Sequence, residues 1–266
     1  MSPDDPTERT CSATGLRLLS ATPGRGFRVS RDKYGGLSAQ PRHVHPGAVA
    51  TANRFDTVGT TLYFADSKRC AFAEVLNGFK QARAALGPDA ETTGETLADY
   101  VALVTEQAVE NGLDHPWAVS ADWQMARSIY TVQLPEAGSW VRIDHADTLA
   151  ALGDLHGVLV DLDGGSVSPP LWSSDLEGAD RSLTTAIARY VRDVILDDGT
   201  RPLGIEFASR TLEGRCYAWW DRRNDDGIAP GPDDAHLVSS ENVGIPELFD
   251  VASRLGIPVL PGRRRI

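Results

Sequence analysis

An α+β domain is what the sequence predicts, on three observations. Short runs rich in β-branched and aromatic residues, FRVS at 27–30, TTLYFA at 60–65 and LGIEFAS at 203–209, are scattered between stretches of helical periodicity. Two of those stretches, from Ser67 onward and over 181–196, carry apolar residues at helical spacing; in the second these are Leu183, Ile187, Tyr190, Val191, Val194 and Ile195. The glycines never form the fingerprint of a dinucleotide-binding parallel sheet. Gly24-Arg25-Gly26 lacks a third glycine and a strand-turn-helix context, so a Rossmann domain is not expected.

Taken in order, residues 1–15 are polar with two prolines and read as a flexible arm, leaving 16–266 as a single domain. The first strand, FRVS, is followed by YGGLSAQPRHVHPGAVA, whose glycines and prolines make it loop. TTLYFA is the next strand, and Asp66 and Ser67 are good caps for a helix that runs to about Leu86, where Gly87-Pro88 stops it. At 100° per residue Phe72, Val75, Leu76 and Phe79 turn toward the core. Ala71, Gly78, Ala82 and Ala85 form an adjacent stripe of small residues, with Glu74 along its edge. Residues 89–127 are polar and partly helix-prone, break at His115-Pro116, and read as an insertion. Residues 129–134 and 140–143 are strand-like, and Pro-Glu-Ala-Gly between them predicts a hairpin. A second insertion at about 154–172 is rich in Gly, Asp, Ser and Pro and reads as a long loop with LVDL as a short strand. After the amphipathic helix come the strand LGIEFAS, an aromatic block ending in Trp219-Trp220, a helix over 246–255, and a tail whose prolines allow only a short strand.

A chain of 266 residues with 41% hydrophobic content can bury a substantial core. No apolar run of about 18 residues exists, and the acidic start lacks the basic-then-apolar order of a secretory signal, so a soluble cytoplasmic protein is expected. Cys11, Cys70 and Cys216 are odd in number and far apart, which predicts reduced thiols. The net charge of -11 argues against nucleic acid as a partner. It also repels any anionic ligand, which would need a local basic pocket. The densest cationic region of the N-terminal half is Arg25, Arg28, Arg31 and Lys33, with Arg42 and Arg54 nearby; from charge alone a solvated basic face is the better account of it.

Few residues carry chemistry by pattern. Glu74 beside small residues leaves room for a ligand, and the same spacing suits a surface acid at the border of an amphipathic helix. Tyr63 lies on the face of its strand opposite Leu62 and Phe64, so it accompanies Glu74 if that residue is at a pocket. Ser209 continues an apolar strand face to a strand end, where it either reaches a pocket or starts a turn. His43-x-His45 has no third or fourth ligand at a metal spacing, and no metal site is expected. Trp219-Trp220 suits strand packing better than base stacking.

In order along the chain, FRVS around Arg28, NRFD around Arg54, LYFADSKRCAFAEV at 62–75 and GIEFASR at 204–210 resemble the RES domain, named for its Arg, Glu and Ser. That resemblance implies an ADP-ribosyltransferase-like fold, with split, largely antiparallel sheets around a cleft, flanked by helices. It implies an NAD-degrading enzyme that cleaves the nicotinamide–ribose bond with phosphate or water as acceptor, NAD being the substrate and no cofactor being required. It also implies a toxin held by an Xre-type helix-turn-helix antitoxin. The implied roles are Glu74, Arg28 and Ser209 in catalysis, with Arg28, Arg54, Tyr63 and Ser209 binding substrate. Arg28 would hold the pyrophosphate or ribose, Tyr63 would pack on the nicotinamide, and Ser209 would fix the nicotinamide ribose or amide. Transfer of ADP-ribose to a protein is the alternative activity, and a non-catalytic nucleotide- or partner-binding module is the alternative of another class.

Overall fold

The computed structural model describes residues 7–21, 24–46, 52–113, 115–155, 170–178 and 181–261. Among these, nine strands form one mixed sheet: β1 (Glu8–Thr10), β2 (Arg17–Ser20), β3 (Arg25–Arg31), β4 (Thr61–Ala65), β5 (Arg127–Gln133), β6 (Ser139–Arg142), β7 (Gly204–Ala208), β8 (Arg215–Trp220) and β9 (His236–Asn242). Their order is β1-β2-β6-β7-β8-β4-β3-β5-β9, antiparallel throughout except for the β6–β7 pair. The fold is α+β, with helices on the sheet.

The seam between β4 and β3 positions the site. Whereas β3 and β5 are paired along seven residues, β3 and β4 meet only at Phe27↔Ala65. The two split sheets expected are thus two halves of one, joined at a single register pair and parting beside it.

Alternation across β4 sorts its side chains as the strand period requires. Leu62 and Phe64 enter a smaller cluster with Val132, Trp140 and Trp219, while Tyr63 and Ala65 face the main core. Trp219 and Trp220 are both buried, on opposite faces, as packing residues of β8. Ser67 caps helix α1 (Lys68–Ala84), its hydroxyl accepting from Cys70 N at 3.2 Å. Phe72 and Leu76 of α1 are fully buried, each contributing about 2–3 kcal/mol by burial. The helix ends at Ala84, and Gly87-Pro88 opens the next one, α2 (Gly87–Thr93), with the proline in its first turn.

The 89–127 segment continues through α3 (Leu97–Glu110), which has no buried residue, and α4 (Ala121–Met125). Further on, α5 (Ala146–Asp154), a 3₁₀ turn at Ser173–Leu176, α6 (Ser182–Asp193), α7 (Arg222–Asp225) and α8 (Pro246–Arg254) complete the helices described. Ile187 and Val191 bury the apolar side of α6, and Leu248 and Val251 that of α8.

Two expectations need correcting. Strands β5 and β6 do not form a hairpin, because both edges of β5 are taken by β3 and β9 and β6 lies between β2 and β7. Within the segment expected to be a flexible arm, Glu8–Thr10 pair with β2 and Cys11 is buried; residues 1–6 lie outside the description. Most of the 154–172 insertion, including LVDL, lies outside the described residues. The three cysteines are free thiols.

Asp197 holds the first strand in place by accepting from Ser12 N at 2.8 Å and pairing with Arg9 at 2.5 Å. The Ser12 amide and then Arg9 draw its carboxyl from 3.8 down to about 2. A folded value below the unfolded one means the contribution is full above about pH 4 and is lost as pH falls toward 2. Hydrogen exchange at the Ser12 amide is therefore expected to accelerate between pH 4 and pH 2 ahead of exchange in β7.

Gly59 takes φ +87°, and a Cβ there would collide with Asp225 Oδ2. Asp225 cannot move away freely, because it accepts from Thr60 N and pairs with Arg192, each at 2.7 Å. Gly59→Ala is expected to cost about 2–3 kcal/mol and lower Tm by several degrees in thermal unfolding.

Candidate functional site

Where the β3–β4 ladder stops, a cavity of about 370 Å³ opens, lined by residues 27–29 of β3, residues 63–65 of β4 and one face of α1. On that face Ala71, Glu74 and Gly78 follow at three and four residues, so the small-residue stripe does border Glu74 at a pocket. Ala82 and Ala85 of the same stripe are exposed. Among the described lining residues Glu74 is the one carboxylate, against four guanidiniums, Arg28, Arg54, Arg181 and Arg210.

Glu74 is held at one oxygen. Ser209 Oγ donates to Oε1 at 2.5 Å and the Arg210 backbone N–H donates to the same atom at 3.2 Å. Oε2 has no hydrogen-bond partner among the described residues, leaving it for a ligand. The turn after β7 supplies both donors. Ser209 Oγ also contacts Thr211 Oγ1 at 2.7 Å and accepts from Thr211 N, and Leu212 adopts φ 58° to close that turn. A leucine in the left-handed region is strained backbone at a site that needs the turn.

Ser209 has a different place from the one implied by resemblance. It is 1% exposed and does not line the cavity, so it positions Glu74 instead of reaching a substrate. Ser209→Ala removes a hydrogen bond to a charged group, worth about 1.5 kcal/mol; the expected result is a fall in Tm of about 3–6 °C in thermal unfolding.

Arg54 is presented by the local structure of Asn53-Arg54-Phe55-Asp56. Asp56 accepts from Asn53 N at 3.0 Å and is fixed by Arg42, which donates from Nε and Nη2 at 2.9 and 2.6 Å. Phe55 is fully buried against Phe207, ring centroids 4.9 Å apart, and the Arg54 guanidinium lies over the Phe207 ring at 4.6 Å. Arg54 is only 8% exposed and has no hydrogen bond or ion pair among the described residues. Burial, and then the Arg210 charge, lower its pKa below the ordinary arginine value, with Glu74 acting the other way. A buried cation without a counter-ion is costly, and its cost falls when an anion binds.

Arg28 reaches the same cavity from β3, with Nη1 and Nη2 donating to Gly36 O and Ser38 O at 3.3 and 3.2 Å. Burial lowers its pKa. Tyr63 lines the cavity while its hydroxyl donates to Asp56 at 2.9 Å and accepts from Phe55 N at 3.1 Å. Burial, and then Asp56, raise that phenol well above the ordinary tyrosine value, so it stays a neutral donor.

No family model matches the chain, and no curated protein does. A solved structure, that of the M. tuberculosis MbcT–MbcA toxin–antitoxin complex, is similar at 10% identity and a TM-score of 0.43, over 88% of this chain and 92% of that one.

Arg28, Arg54, Tyr63 and Glu74 thus share one cavity, with Ser209 behind Glu74. Further lining residues escaped the sequence reading, among them Asn77, Gln81, Arg181 and Arg210. Asn77 and Gln81 follow Glu74 by three and seven residues on the same helical face, a spacing that could have found them. Arg210 is adjacent to Ser209, whereas Arg181 has no local signal. Cys216 also lines the cavity, its Sγ 3.7 Å from Cys70 Sγ, and its thiol is pushed up by that contact and by burial.

No cluster of three or more metal-ligating side chains occurs among the described residues. No helix among them is long and apolar enough to cross a membrane.

Proposed function

We propose that this protein degrades NAD by cleaving the nicotinamide–ribose bond, with water or phosphate as acceptor. The observation that carries the reading is a single anchored carboxylate in a cavity otherwise charged by four guanidiniums. The pyrophosphate in the middle of the dinucleotide brings two negative charges, and Arg54, with Arg181 and Arg210, answers them through charge-assisted hydrogen bonds. Arg28 binds ribose oxygens through its remaining nitrogen, and Tyr63 contributes its ring beside the nicotinamide.

Breaking the N-glycosidic bond moves the bonding pair onto the pyridine nitrogen and leaves positive charge on the ribose. Glu74 Oε2 stabilises that charge more in the transition state than in the ground state, which is the condition for acceleration. Nicotinamide departs neutral, so no general acid is needed, in keeping with a cavity that has one carboxylate and no histidine among its described lining residues. The acceptor then adds to the ribose carbon and loses its proton to solvent or to Glu74.

On this reading the protein acts in the cytoplasm as a toxin, and an Xre-type helix-turn-helix antitoxin restrains it. Incubation of the purified protein with NAD, with and without phosphate, tests the chemistry. Nicotinamide and either ADP-ribose or its 1-phosphate are the expected products, and intact NAD after prolonged incubation overturns the reading. Label from the adenylate half of NAD appearing on protein would instead show ADP-ribosyl transfer.

A further inference from the structure

Arg54 faces two cavities. Besides the one holding Glu74 it lines a second, of about 500 Å³, whose other walls include Arg142, Asp144, Ser173, Glu177 and Arg215. Given NAD as the substrate of the proposed function, we infer that the dinucleotide lies across Arg54, with its nicotinamide riboside beside Glu74 and its adenosine in this second cavity.

Size and charge both point there. A cavity of about 370 Å³ is at the small end of ligand sites and accommodates one nucleoside, so the other half of a dinucleotide needs a second lobe. The group linking the two nucleosides is the pyrophosphate, and the residue where these two lobes meet is a buried guanidinium with no hydrogen-bond or ion-pair partner among the described residues. It lies over the ring of Phe207, which also lines both lobes.

The second lobe is built to take a nucleoside. Arg215 binds Asp144 through two nitrogens at 2.8 and 2.7 Å and also bonds the buried Glu206, which in turn pairs with Arg142, so this wall is rigid and internally neutralised. The side chains of Ser173 and Glu177 have no hydrogen-bond partner among the described residues. An unengaged carboxylate is an acceptor for the two hydroxyls of a ribose, and a hydroxyl serves a purine nitrogen.

A rival lobe of about 520 Å³ lies beyond Arg28 and Tyr63. The polar groups at that boundary are already paired: both Nη atoms of Arg28 with Gly36 O and Ser38 O, and the Tyr63 hydroxyl with Asp56, which Arg42 neutralises. Both Nη groups of Arg28 thus already have acceptors that a pyrophosphate would have to displace or share, whereas Arg54 has none among the described residues.

The test compares kcat/KM for NAD with that for nicotinamide mononucleotide, which lacks the adenylate half. Ser173 and Gln40 are both exposed, so tryptophan at either position is compatible with folding. Ser173→Trp fills the second lobe and is expected to lower the NAD-to-mononucleotide ratio about tenfold, while Gln40→Trp in the rival lobe leaves that ratio as it was. A ratio unmoved by Ser173→Trp, or lowered by Gln40→Trp, overturns the inference. Photolabelling of Glu74→Gln protein with an 8-azidoadenine analogue of NAD gives an independent reading. Adducts are expected within 142–145 or 173–177, and adducts within 34–42 overturn it. Unsubstituted protein that releases no nicotinamide from either substrate defeats the proposed function itself, an outcome distinct from a misplaced adenosine.

Discussion

Glu74→Gln is expected to lower nicotinamide release by about 10²- to 10³-fold while NAD continues to bind, the range found when one preorganised electrostatic group is removed from an active site. The substitution keeps the size of the side chain and an oxygen for the Ser209 hydroxyl and the Arg210 amide to donate to, so the α1 face and the turn after β7 keep their contact. What changes is the charge facing the sugar. On the proposed mechanism that charge is needed as the ribose becomes cationic, so the loss falls on kcat and on kcat/KM together, with little change in the NAD dissociation constant. Steady-state nicotinamide release paired with calorimetric NAD binding separates the two. A variant retaining more than about a tenth of the activity would mean that Glu74 is not the group sheltering the sugar. Glu74→Asp should fall between, since the charge remains but the shorter side chain cannot both accept from Ser209 and reach the ribose.

The strands that carry the site were legible in the sequence because each has a strong local signal. FRVS, TTLYFA and LGIEFAS became β3, β4 and β7, and Ser67 became the cap of α1. Glu74 could be placed beside a small-residue stripe because helical spacing alone determines which side chains share a face. What could not be read was pairing. The sequence-adjacent β5 and β6 looked like a hairpin, but sheet order is decided by which edges the long-range partners occupy, and the turn residues between two strands do not report that. Strand β9, exposed along its whole length, has too few apolar residues to announce itself, and β1 is three residues long. Arg181 joins the cavity through the tertiary fold alone. The role of Ser209 was illegible for another reason: a hydroxyl at a strand end looks the same whether it meets a ligand or the carboxylate beside it, and only the 2.5 Å contact distinguishes them.

Arg54→Met should make the unliganded protein more stable and the enzyme worse. The guanidinium is almost fully removed from water without a carboxylate of its own, and the desolvation of such a charge amounts to several kcal/mol after relaxation. Opposing that are its contacts over the Phe207 and Phe55 rings, worth about 1–2 kcal/mol together, and the attraction of Glu74. A methionine keeps the apolar contact with both rings and discards the charge, so the balance favours the variant by about 1 kcal/mol, a rise in Tm of about 2–4 °C. Binding reverses the order. The comparison is made in a Glu74→Gln background, where NAD is not consumed, with Arg54→Met expected to weaken NAD affinity by about 10²-fold, the scale of one lost charge-assisted anchor. NAD at about a hundredfold excess over the Kd of the protein retaining Arg54 stabilises that protein by about 2.7 kcal/mol, while the same concentration stabilises the Arg54→Met protein by only about 0.4 kcal/mol. The two melting curves should therefore exchange rank between the apo and NAD-bound states. Equal destabilisation of both states would show that Arg54 is a structural residue whose charge is already compensated, and the anion site would have to be sought at Arg181 and Arg210.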